Sequence, residues 1–187
     1  MFRKDFPMTK YASLSEWYFL NAIKRTCINN PEFKKFELMK EHYPYINKDD
    51  FKSLGNNYLF FQTEELKKEM YHKYIKGNEQ VVMGSPEYHQ IIGNILEFPP
   101  KAIEFFIKGG VDNFPNRAIG MQYCGNHFIA DIYDLEENAK WLWEKYPYPL
   151  DDTLLIRKGF DFQMIDFEDY SSIKKIITKA KQKIAAK

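Results

Sequence analysis

The segment Arg117-Ala-Ile-Gly-Met-Gln-Tyr-Cys-Gly-Asn-His-Phe-Ile-Ala-Asp-Ile-Tyr133 decides how this chain folds. Its apolar residues recur at every second position on both sides of Cys124-Gly125-Asn126, the pattern of two strands joined by a tight turn. Gly125 supplies the positive φ that such a turn needs. In the second strand Phe128, Ala130 and Ile132 face one way, and His127, Ile129, Asp131 and Tyr133 the other.

Downstream, Asp134 with Glu137 has the spacing of a capping box for a helix through Leu135, Ala139, Leu142, Trp143 and Tyr146, stopped by Pro147 and Pro149. A second hairpin runs from Thr153 to Arg157, turns at Lys158-Gly159 and continues from Phe160 to Phe167. Asp169 or Ser171 then caps a last helix with Ile173, Ile176, Ile177, Ala180 and Ile184 as its apolar stripe. The order is ββαββα, an antiparallel sheet with both helices on one face.

Upstream, helical spacing dominates. Ser13 and Glu16 form a capping box before Leu14, Trp17, Leu20, Ile23 and Cys27. Asn30-Pro31 opens a second helix bearing Phe33, Phe36, Met39 and Tyr43, and Asn47 with Asp50 caps a third that stops near Gly55. Asn57 to Gln62 is short and aromatic, hence a strand. Thr63 caps a helix ending at Gly77. Ser85-Pro86-Glu87 opens another, broken and restarted by Pro99-Pro100 and ended by Gly109-Gly110. The fold class is therefore α+β: a mainly helical half, residues 1–110, packed with a sheet-bearing half, residues 117–187, in a single domain spanning 1–187.

Composition narrows the function. The chain has 187 residues, with 27 Lys+Arg against 26 Asp+Glu. Near-neutrality disfavours nucleic acid as a partner, and the apolar runs are too short to span a membrane. Two widely separated cysteines and a charged start read as reduced thiols in a cytoplasm. The aromatic share of 17% accompanies many Lys, Ile and Asn residues, a bias of AT-rich codons, and reads as core filling. Charge is nonetheless local: residues 117–172 hold five basic and eleven acidic residues, whereas residues 173–187 hold six Lys and no acid.

No nucleotide-binding glycine loop, nucleophile elbow, zinc-protease helix or C-x-x-C occurs. Cys124 and His127 have C-x-x-H spacing, but no second such pair completes a zinc site, so neither a metal nor a cofactor is expected. Cys124, His127 and Asp131 supply the residue types of a thiol nucleophile, yet they are spread along a hairpin rather than converging. The preferred site is a pocket for a small anionic ligand near the rigid Pro-Pro corner, lined by His89, Lys101, Arg117, Tyr123 and His127. Together these features favour binding over catalysis: a regulatory or accessory protein, phage- or mobile-element-associated, contacting another protein or a small anion. The alternatives are a small enzyme or nucleotide-derivative binder using the same pocket, and nucleic-acid binding through the Lys-rich last helix.

Overall fold

A computed structural model describes residues 13–147, 153–159 and 161–185. The fold is α+β, with two antiparallel sheets and helices that dominate the earlier part of the chain. The chain divides into two compact units between Glu97 and Phe98. That division falls at the Pro-Pro corner rather than at the glycine-rich stretch after residue 108.

The first unit starts with helix α1 (Leu14–Leu20). Its capping box forms: Glu16 N–H donates to the Ser13 hydroxyl, and the Glu16 carboxylate accepts from Ser13 N–H. The helix does not continue to Cys27 as its apolar spacing predicts. Ala22 adopts φ +58, and the N–H groups of Ile23 and Lys24 both turn back to the Tyr18 carbonyl. Gln62 fastens this turn by donating to the carbonyls of Phe19 and Lys24. The released chain becomes strand β1 (Thr26–Asn29), where β-branched Thr26 and Ile28 suit a pleated surface.

Asn30 forms a local turn, its side chain accepting from Glu32 N–H, so helix α2 (Phe36–His42) starts later than the Pro31 signal predicts. Strand β2 (Tyr45–Ile46) and a 3-10 turn at Lys52–Leu54 precede strand β3 (Tyr58–Phe61). β3 is central, in the order β1-β3-β2. The core beneath holds Phe19, Leu20, Cys27, Phe36, Met39 and Phe60. Phe36 meets Tyr58 and Phe60 edge-on at 4.8 and 5.9 Å, so in this unit much of the aromatic excess is packing.

Thr63 caps helix α3 (Glu64–Met70), whose end widens into a π turn at Tyr71–Ile75. Ser85 and Pro86 then open helix α4 (Pro86–Ile95) as the sequence predicts.

The second unit begins with helix α5 (Pro100–Ile107) and the short helix α6 (Gly110–Asn113). Gly110 is required by close approach: a Cβ there would lie 2.4 Å from the Phe105 ring. Strands β4 (Ala118–Tyr123) and β5 (Asn126–Asp131) form the expected hairpin. Its turn is the two residues Cys124 and Gly125, both at positive φ, the geometry that matches strand twist.

A 3-10 turn at Ile132–Asp134 leads to helix α7 (Leu135–Lys145). Asp134 makes no side-chain cap bond; Asp131 instead caps the 3-10 turn by accepting from Tyr133 N–H. Strands β6 (Leu154–Lys158) and β7 (Asp161–Ile165) complete the order β5-β4-β6-β7, and helix α8 (Tyr170–Ala185) follows. Phe160, expected within the last strand, lies outside the described residues.

The register sorts the sheet into two faces. Ile119, Met121, Tyr123, Phe128, Ala130, Leu154, Ile156 and Ile165 are buried on one. Tyr123 donates to the Tyr146 carbonyl just after α7, and Ile176 and Ala180 of α8 line a groove with Ile119 and Ile156, so both helices lie on this face. His127, Ile129, Leu155, Arg157, Phe162 and Met164 occupy the other.

Asp169 starts α8. Its carboxylate accepts from Ser172 N–H at 3.0 Å and from the hydroxyls of Ser172 and Ser171. These bonds hold its pKa at about 2 rather than 3.8. A depressed carboxylate stabilises the fold fully above its unfolded pKa, so this contribution is lost as pH falls from 3.8 through about 2. A carboxyl NMR titration is expected to show an Asp169 midpoint near 2, with the Ser172 amide shift following it. A midpoint near 3.8 would contradict this cap.

Candidate functional site

Four of the five residues assigned to the anion pocket lie in the second unit, and His89 lies on α4 of the first. His89 is half-buried and meets the Tyr88 ring edge-on at 5.3 Å. Tyr123 is fully buried on the helix-covered face of the sheet. His127 is exposed on the opposite face, above Gly120. Alternation therefore separates Tyr123 from His127. Cys124 is buried at the turn, whereas His127 is exposed.

Lys101 and Arg117 do approach a common group. Lys101 pairs with Glu104 at 3.4 Å, and both Lys101 and Arg117 draw the pKa of Asp134 downward. Burial is the larger influence there and, with Asp131 nearby, leaves the Asp134 carboxyl raised.

Arg117 itself is committed to Asp131. Its Nε donates to Asp131 Oδ1 at 3.2 Å and its Nη2 to Oδ2, a two-pronged pair. The guanidinium lies between the Phe114 and Tyr133 rings, 4.8 Å from each centroid. Strand alternation put Asp131 with the outward-facing residues; this clamp buries it, leaving its side chain 2% exposed. Such a pair neutralises its own anion site.

A concave surface of different composition lies between the helix-covered face of the sheet and α8. This groove, about 250 Å³, has an apolar floor of Ile119, Ile132, Ile156, Ile176 and Ala180. Lys158, Lys179 and Lys183 rim it, with Asp161 and Gln163. Lys179 and Lys183 are exposed and form no ion pair with any described residue. The basic tail spends little of its charge on the acidic stretch: Lys174 reaches Glu136 at 3.8 Å, in solvent. Lys181 turns to the Tyr133 ring instead.

The sequence carried half of this signal. On α8, Ile176 and Ala180 alternate with Lys179 and Lys183 at one-turn spacing, which marks an amphipathic boundary. That Ile156 and Lys158 of β6 stand opposite them requires the tertiary fold.

The first unit holds a polar cluster that sequence reasoning did not assemble. Glu16 accepts from Asn29 Nδ2 at 2.9 Å, Lys24 Nζ donates to Ser15 Oγ at 3.3 Å, and Ser15 Oγ lies 3.5 Å from Cys27 Sγ. Glu16, Lys24, Cys27 and Asn29 are all buried. Burial pushes the Cys27 thiol above its ordinary pKa, which makes it a poor nucleophile. The cluster therefore ties α1 to β1. Among the described residues, no group of three or more His, Cys, Asp and Glu side chains is arranged to hold a metal ion.

No family model, no curated protein and no solved structure matches this chain.

Proposed function

We propose that the protein is a regulatory binding protein of the cytoplasm, acting by contact and taking a small anionic ligand with an apolar body into the groove beside α8. The observation that carries this reading is the pairing of an isoleucine floor with a lysine rim in one concavity. An apolar body buries against Ile119, Ile156 and Ile176, while Lys179 and Lys183 meet the anionic end. A ligand seated there bridges α8 to β6 and β7, so occupancy is coupled to the position of the last helix. That coupling is the regulatory element of the proposal. Cys27 and Cys124 are both buried and not joined in a disulfide, which is consistent with a reducing compartment. No helix among the described residues is long and apolar enough to cross a membrane.

Calorimetric titration with octanoate tests the proposal, with octan-1-ol and inorganic phosphate as half-ligands. Octanoate is expected to bind at least about tenfold more tightly than either, since both halves of the groove contribute. Reversing charge in Lys179→Glu/Lys183→Glu is expected to weaken octanoate at least about tenfold and to leave octanol unchanged. Equal affinity for octanoate and octanol, or indifference to charge reversal, would remove the basis for an anionic ligand.

A further inference from the structure

The outer edge of β7 is unlike the opposite edge of the same sheet. β5, at the other end of the order, has α5 packed against it, and Phe98 meets Phe128 at 5.3 Å. β7 has no described strand on its outer side. Exposed edges are commonly blunted by Pro, Lys, Gly or a bulge, because their free N–H and C=O groups are a template for further pairing. Asp161-Phe-Gln-Met-Ile165 contains neither Pro nor Lys, and its one charge, Asp161, stands at its first residue. It also leaves Phe162 59% and Met164 73% exposed, on the sheet face away from α7 and α8.

We infer that β7 is a self-association edge: two copies of this chain pair their β7 strands antiparallel about a two-fold axis at Gln163, joining two four-stranded sheets into one. Among axes at Asp161, Gln163 and Ile165, which share one parity along β7, sequence register selects the middle one. Centred on Gln163, Phe162 lies opposite the partner's Met164 and Met164 opposite the partner's Phe162. These are two apolar cross-strand pairs of the sulfur–aromatic kind. Asp161 then faces the partner's Ile165, and Gln163 faces its own copy across the axis, where two amides can exchange hydrogen bonds.

The other two axes of that parity are poorer. Centring on Asp161 sets two carboxylates directly opposite each other. Centring on Ile165 carries the pairing onto Phe167, which already packs on Trp143 at 5.8 Å. The axis at Gln163 also keeps Phe162 and Met164 of both copies on one face, since residues of like parity pair and stay on the same side. An isologous contact of this kind closes at two copies.

Five-residue strands with two apolar pairs make an interface smaller than the roughly 1,200–2,000 Å² of stable complexes, so the dimer forms with rising concentration and dissociates on dilution. The association measured with Met164→Lys is independent of the ligand proposed above, because Phe162 and Met164 do not line the groove; Asp161 and Gln163 do, so their cysteine variants are read for cross-linking alone.

Sedimentation equilibrium of the full chain from about 10 µM to 1 mM tests it. The weight-average mass is expected to rise from 22.4 kDa toward twice that value. Met164→Lys is expected to weaken association at least about tenfold with the circular dichroism spectrum unchanged, since it sets a cation where an apolar pair forms. Val82→Lys removes an equally exposed apolar side chain in the first unit and is expected to have no effect. Gln163→Cys is expected to form a disulfide-linked dimer under mild oxidation, and Asp161→Cys is not, which fixes the axis. A mass that stays at 22.4 kDa throughout overturns the inference, as does association equally reduced by Val82→Lys or untouched by Met164→Lys.

Discussion

Arg117→Ala is expected to cost about 3 kcal/mol of folding stability, read as a shift of the urea midpoint, because it leaves Asp131 buried and charged without its partner. Asp131 keeps one bond, from Tyr133 N–H at 3.0 Å, which does not replace two guanidinium donors. Arg117→Lys restores the charge but not the fork, nor the flat surface between Phe114 and Tyr133, and is expected to recover about half of the loss. In the double variant Arg117→Met/Asp131→Leu neither charge is left unpaired, and only Tyr133 N–H loses its acceptor. Its stability is expected to exceed that of Arg117→Met alone, and with Asp131→Leu as the second single variant the cycle isolates the pair.

The deficit of Arg117→Ala also depends on pH. Asp134, already raised by burial and by Asp131, loses an opposite charge and rises further. A raised carboxyl stabilises the fold below its unfolded pKa, and that contribution disappears as pH rises through the folded value. The deficit is therefore expected to be smallest in acid and to grow toward neutrality. A deficit that shrank as pH rose would contradict the clamp.

Glu16→Ala is expected to destabilise the first unit by about 2–4 kcal/mol. The carboxylate, 1% exposed, accepts from Ser13 N–H, the Ser13 hydroxyl and Asn29 Nδ2. Its removal ends the reciprocal cap of α1. It also leaves the buried Asn29 amide facing the Met39 thioether at 3.7 Å, a weak acceptor. Glu16→Gln preserves shape but offers a donor where donors already point, so roughly half of the cost is expected. Thermal unfolding of the three chains measures the series. A Glu16→Ala midpoint unchanged from the parent would show that the cluster contributes nothing.

These features differ in how far the sequence disclosed them. The caps at Ser13, Thr63 and Ser85, the Pro-Pro corner and the Cys124-Gly125 hairpin were legible because each depends on neighbours a few residues apart. β1 was not legible, because Ile23 and Cys27 satisfy helical spacing as well as they satisfy a strand. What ends α1 is Ala22 at positive φ, a conformation that no glycine advertises and that Gln62 fastens from far along the chain. The site divides in the same way. Lys179 and Lys183 were visible as a basic face, but their apolar counterpart on β4 and β6 comes from tertiary packing. Arg117 was visible as a cation near the Pro-Pro corner, whereas its commitment to Asp131 depends on how the ends of the β4–β5 hairpin meet.

The placement of the two sheets on either side of Glu97 bears on how the chain acquires its structure. Every described strand pairs within its own unit, and the longest reaches are modest: Thr26 to Phe61 in one sheet, Gly120 to Arg157 in the other. The loops closed by strand pairing are correspondingly short, so little loop entropy must be lost before each sheet forms, whereas Thr26 to Ile95 and Arg25 to Glu97 join only when the first unit is nearly complete. During synthesis the first sheet has all its strands once Phe61 has emerged from the ribosome, before β4 has been translated. β7, with its exposed edge, is the last of the described strands to be translated, so β6, the strand it pairs with, already exists when it emerges.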